Sequence, residues 1–208
     1  RRQRQMCIRD SHHRVVFNGN GYSDEWVAEA ERRGLPNIKC MVDAVPTLVK
    51  PEAVEIFEKH GVYTKAEMES RAEVMYETYS KTINIEALTM IDMAKKQIVP
   101  ATIKYQTSLA ESVNAIKAAS SAVDTSVQEA LMADISTNLK DMYVALAHLE
   151  EVAGKAEAME EGAEQGHYYH DVVFTAMDEL RKPADKLEML VAKSAWPFPS
   201  YGDLLFEV

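Results

Sequence analysis

The chain has 208 residues, 47% hydrophobic and 27% charged, an ordinary soluble composition with length for one domain or one and a half. A formal charge of −10 makes nucleic acid and anionic membrane surfaces poor partners, and no apolar run approaches the roughly 18 residues of a membrane span. Two isolated cysteines, Cys7 and Cys40, make no disulfide framework, and with no signal-peptide pattern they point to the cytoplasm.

Residues 1–11, RRQRQMCIRDS, carry four arginines against one aspartate and show neither helical nor strand period. The string resembles translated sequencing-adapter readthrough and is set apart from the fold as a probable non-native segment; the alternative is a disordered basic arm for a phosphate-rich partner. Position 1 is not methionine, which also reads as a fragment.

Residues 12–63 read as a connector of short elements. Arg14-Val15-Val16-Phe17 fits a short extended run or a last helical turn, and Asn18-Gly19-Asn20-Gly21 a turn. Ser23 caps a helix to about Arg33, with Asp24 and Glu25 in its first turn, and Gly34 ends it. Asn37 to Val49 is expected to be irregular. Pro51 opens a further helix at a position where its missing N–H costs nothing, and Gly61 stops it.

From 64 to 195 the pattern is long helix. Thr64 and Glu67 form a capping box, followed by Met68, Ala72, Met75, Tyr79, Ile83, Ala87, Met90, Ala94 and Ile98 on one face. Pro100 predicts a kink or break before the stripe resumes with Ile103, Leu109, Val113 and Ile116. After a turn at 120–126, Leu131, Ile135, Leu139, Met142, Leu146, Leu149 and Ala153 keep a near-heptad rhythm, which favours lengthwise antiparallel packing. Gly162 and Gly166 bracket the next break. A last helix carries Tyr169, Val173, Ala176, Leu180, Leu187 and Val191, bent at Pro183. These stripes predict an all-α fold: a long antiparallel helical bundle with a short irregular N-terminal piece and an extended C-terminal tail over 196–208.

Chemistry is scarce in this pattern. Asn18–Gly21 before a capped helix has the look of a phosphate cradle but lacks the endings of either nucleotide fingerprint, so a plain turn is preferred. Glu164, His167 and His170 sit three apart on one helical face, a di-iron-like unit without the required second copy; solvated or capping histidines are the plainer reading. His12 and His13 carry no information. The acidic run Glu157, Glu160, Glu161, Glu164 reads as a solvated helix end, and the eleven methionines as core filling. No nucleophile, base and orienter come together, so no catalytic, cofactor-binding or metal residue is assigned.

Three segments carry a family resemblance. Residues 15–35, VVFNGNGYSDEWVAEAERRGL, resemble the stretch after the catalytic core of type III glutamine synthetases. Residues 81–100, KTINIEALTMIDMAKKQIVP, resemble that family's long C-terminal helix, and 196–208, WPFPSYGDLLFEV, its C-terminus. Order and spacing fit across 12–208. The resemblance implies a parent glutamate–ammonia ligase that uses ATP and divalent metal (Mg) through a γ-glutamyl phosphate. It also implies a homo-oligomer of stacked rings, with the catalytic residues upstream of this region. The family's glutamate-binding loop, Asn-Gly-x-Gly-x-His, has its histidine where this chain has Ser23, so Asn18 to Tyr22 inherit no role. The expected function is therefore a structural and oligomerisation part, inactive alone, whose partners are the rest of its own chain and other copies. The tail residues Trp196, Phe198, Tyr201, Leu204, Leu205 and Phe206 are expected to be left uncovered by the bundle. The alternatives are a freestanding helical interaction module and a metal-binding bundle using Glu164, His167 and His170.

Overall fold

The computed structural model describes residues 2–12, 16–17 and 19–206. The expected run at Arg14-Val15, with His13, Asn18 and the last two residues, lies outside the described residues. Among those described there is no strand. The elements are α1 (Arg2–Ser11), α2 (Asp24–Arg32), α3 (Met41–Ala44) with a 3₁₀ turn Val45–Thr47, and α4 (Pro51–Lys59), followed by the bundle. The bundle comprises α5 (Lys65–Met93) and α6 (Val99–Ala119), α7 (Ser126–Glu157), then α8 (Ala163–Tyr168) and α9 (Phe174–Leu190). A last helix, α10, runs Tyr201–Phe206.

The all-α bundle stands as its stripes predict. Two π turns, Ala94–Ile98 and Tyr169–Val173, join α5 to α6 and α8 to α9. Lys65 to Ala119 is thereby one helix of 55 residues. Pro100 neither breaks nor ends it. The wider turn just upstream makes room for the pyrrolidine ring, which would otherwise clash with a carbonyl one turn back. Pro183 likewise lies inside an unbroken α9.

The three long rods pack around one core. On α7, Ile135, Met142, Leu149 and Ala156 recur seven apart and are all 0% exposed, the geometry of a lengthwise seam. Opposite them, Tyr169, Val173, Ala176, Leu180, Leu187 and Val191 are all buried, as the sequence predicts. On α5 the stripe is shifted by one residue in places: Tyr76 and Ile91 are buried while Met75 is exposed. Ile103 is also exposed.

Several local signals hold. The Thr64 capping box has both of its bonds, Ser23 Oγ accepts from Trp26 N–H, and Gly34 and Gly61 take φ of +68° and +63° past their helices. Four expectations fail. Residues 41–47 are helical rather than irregular, because Val42 and Val45 are buried with Ala72 and Tyr76 in a small second core. Gly162, at φ +140°, does mark a break, but Gly166 lies within α8. The segment 2–11 is helical despite its lack of period, and the C-terminal tail is extended only to Ser200.

Candidate functional site

The tail helix has a local cause. Ser200 and Asp203 form a Ser-x-x-Asp capping box: Ser200 N–H and Oγ donate to Asp203 Oδ2 at 2.8 and 2.7 Å, and Asp203 N–H donates to Ser200 Oγ at 3.3 Å. Lys193 Nζ reaches Asp203 Oδ1 at 2.5 Å, clasping α10 to the end of α9. Lys193 foremost, with Ser200, holds the Asp203 carboxyl down at about 2.

The tail also differs from expectation in what it covers. Trp196 and Phe198, edge to face at 6.1 Å, pack against the bundle core rather than standing clear of it. They border a cleft of about 270 Å³ floored by Met90, Met93, Ile98, Met142 and Leu180. What remains open is α10, where Leu204, Leu205 and Phe206 are 63%, 73% and 80% exposed. Three consecutive apolar side chains at that exposure form an open apolar edge rather than a pocket.

The other candidates resolve as follows. Asn20 Oδ1 accepts from Tyr22 N–H at 3.0 Å, and Ser23 Oγ donates to Asn20 O and accepts from Trp26 N–H, so these side chains serve the turn and the helix cap. Glu164 and His167 lie on α8 and His170 in the π turn beyond it. His167 Nδ1 stands 3.8 Å from Asp43, and His170 Nδ1 lies 2.7 Å from Asp171. Among the described residues no three His, Cys, Asp or Glu are placed to hold a metal ion. The Cys40 thiol donates to Asp43 at 2.9 Å, and burial, then the Asp43 carboxylate, push its pKa up, away from a reactive thiolate.

Between α5 and the α7–α8 turn lies a feature the sequence reading missed. Glu77, Ser80, Lys81, Asn84, Glu157, Glu161, Gln165 and Tyr169 line a polar cavity of about 220 Å³. Gln165 Nε2 donates to the Ala156 and Met159 carbonyls at 3.1 and 3.4 Å, closing the C-terminus of α7 over it. Ser80, at 3% exposure, has no partner for its Oγ, and neither has Asn84 Oδ1. The only sequence signal was a serine and an asparagine on the apolar face of a long helix.

The fold is that of an all-α antiparallel helical bundle with a capped apolar tail. A family described as "Glutamine synthetase C-terminal domain" matches residues 5–117, more than half of the chain, and the chain belongs to that family. The match starts inside the segment set apart by its composition. The chain is 39% identical to a glutamine synthetase of Butyrivibrio fibrisolvens over 198 residues, covering 95% of this chain and 28% of that protein. It is 30% identical to a type-3 glutamine synthetase of Dictyostelium discoideum, covering 94% of this chain and 27% of that one. A glutamine synthetase of Bacteroides fragilis is also 30% identical, over 92% of this chain and 27% of its own length. The chain thus spans little more than a quarter of the curated relatives it matches.

Proposed function

We propose that this chain is the C-terminal structural and oligomerisation part of a type III glutamine synthetase, carrying no catalysis of its own. In this reading the parent is a cytoplasmic homo-oligomer that ligates ammonia to glutamate with ATP and Mg. Residues 12–63 connect to the catalytic core, 64–195 form the supporting bundle, and 196–208 a docking tail. The observation that carries it is the tail: a bundle that half-buries Trp196 and Phe198 still spends a capping box and an ion pair on presenting Leu204, Leu205 and Phe206 to solvent.

The described residues do not fit a nucleotide–metal site, so ATP and Mg belong to the remainder of the parent protein in this reading. Its chemistry is consequently not assigned to any residue of this chain. No helix among the described residues is long and apolar enough to cross a membrane, which is compatible with the proposed compartment.

The test is made in a parent enzyme carrying this region. Deleting residues 196–208 is expected to lower the oligomeric state in sedimentation and to reduce ATP-dependent glutamine formation with it. Normal assembly and normal activity after that deletion would refute the role. The 208-residue chain alone is expected to form no glutamine from glutamate, ammonia and ATP.

A further inference from the structure

We propose that the outward face of α5, from Arg71 to Thr89, is the docking surface for the upstream portion of the same polypeptide. The inference rests on the reading of this chain as the C-terminal part of a larger enzyme. Arg71, Val74, Thr78, Thr82, Ile85 and Thr89 recur at steps of three and four, which puts them on one face, with Met75 and Leu88 beside them. This face lies opposite the buried stripe of Met68, Ala72, Tyr76, Ile83 and Ala87 and is exposed throughout. The outward side of a surface helix ordinarily carries charged and polar residues. Here Val74, Ile85 and Leu88 stand 55%, 65% and 48% exposed, and Arg71 is the only charged residue among those named for the face. Met75 is open too, although the sequence period assigns it to a buried stripe. The Thr82 and Thr89 hydroxyls donate to the Thr78 and Ile85 carbonyls at 2.8 and 2.7 Å, so their hydrogen bonding is met within the helix and their methyl groups remain for a partner. Lys81, at the border of the face, pairs with Glu77.

Two observations name the occupant. The chain covers 28% of the Butyrivibrio relative, so most of such a protein lies outside it, and a C-terminal domain has that remainder before it. The remainder then enters through the connector, and the connector ends against this same face. Leu48 and Tyr63 join Ser70, Arg71, Val74 and Met75 around a groove of about 460 Å³, with the Arg71 guanidinium 4.2 Å over the Tyr63 ring. Val42 and Val45 of the connector already pack on Ala72 and Tyr76, on an adjoining side of α5. A segment that arrives through the connector is thus delivered to the groove, and its tether gives it a higher effective concentration there than any separate molecule has. From the groove the apolar face continues along α5 through Ile85 and Leu88, as a helix or loop laid lengthwise would need.

The test compares Val74→Cys and Ile85→Cys, made singly, in the 208-residue chain and in a parent enzyme carrying this region. Maleimide labelling is followed by mass spectrometry of the α5 peptide. In the 208-residue chain both thiols should label about as fast as in urea, because both positions are open. In the parent, where labelling must wait for the interface to open, it should be more than about tenfold slower. A benzophenone amino acid in place of Leu88, in a parent assembled from isotopically light and heavy chains, should capture an upstream peptide of its own isotope only. Capture of a peptide of the other isotope would make the face a contact between copies. That result, equal labelling in chain and parent, slow labelling already in the 208-residue chain, or no captured upstream peptide overturns the proposal. The two readings fail apart: a parent that dissociates on loss of residues 196–208 yet labels freely on α5 refutes the docking face alone.

Discussion

Gly166 and Gly154 are both helical glycines, and the structure predicts opposite signs for the same substitution at each. In α7, an added Cβ on Gly154 meets nothing within 4 Å. Alanine there recovers the ordinary helix-propensity gain of about 0.8–1 kcal/mol. In α8, an added Cβ on Gly166 comes within 3.1 Å of Tyr76 Cδ1 and 3.3 Å of Val42 Cγ1. Neither neighbour is the free end of a flexible chain: both belong to the small second core, and Tyr76 Oη also donates to Val42 O at 3.4 Å. Overpacking a filled core costs about 1–3 kcal/mol, so Gly166→Ala should be destabilising by up to about 2 kcal/mol after the propensity gain is offset. For a domain of this size each kcal/mol moves Tm by about 2–4 °C, which urea melts and calorimetry resolve. A double-mutant cycle with Val42→Ala should recover part of the loss, because it removes the 3.3 Å contact. If Gly166→Ala stabilised the protein as much as Gly154→Ala, the close approach of α3, α5 and α8 would be wrong, and with it the docking of the connector on the bundle.

Leu146→Ala, at a fully buried position of the α7 seam, should cost about 2–5 kcal/mol in a denaturant melt. Thr64→Ala removes the hydroxyl half of a complete capping box and should cost about 0.5–2 kcal/mol, whereas Thr89→Ala, whose hydroxyl bonds only Ile85 O within its own helix, should be nearly silent. The Asp203 clasp has a signed pH dependence. Its folded carboxyl sits at about 2, below an ordinary value near 3.9, so its contribution is complete above about pH 4 and is lost as pH falls through 2. Carboxyl NMR should show Asp203 titrating near 2, and Asp203→Asn should remove the acid-dependent release of the tail, read from Trp196 fluorescence in a Trp26→Phe background.

The bundle was legible because its stripes are long. Over α7 and α9 the apolar residues repeat often enough that no other period fits, and every one of the six final-helix positions, from Tyr169 to Val191, is buried. Short elements were not legible in the same way. Met41–Ala44 has no capping side chain and forms because Val42 and Val45 find partners on α5, information that lies more than 25 residues downstream. The tail helix, by contrast, was readable and missed: Ser200-Tyr201-Gly202-Asp203 is a capping-box pattern, hidden by attention to Pro197 and Pro199.

The polar cavity was illegible for a different reason. Ser80 and Asn84 stand one turn apart on α5, in a stripe that is otherwise Met68, Ala72, Tyr76, Ile83 and Ala87. Read along the chain they are two weak interruptions of a hydrophobic face. They line a cavity because α7 ends at Glu157 and Gln165 folds back to cap its last carbonyls, leaving a gap over that turn of α5. Apolar residues at 80 and 84 would fill that gap at lower desolvation cost, since a buried unpaired hydroxyl or amide carbonyl costs about 1–3 kcal/mol. Ser80→Ala should therefore raise the stability of the chain by about 1–3 kcal/mol in a urea melt, and an unchanged or lowered midpoint would show that the hydroxyl is not unpaired.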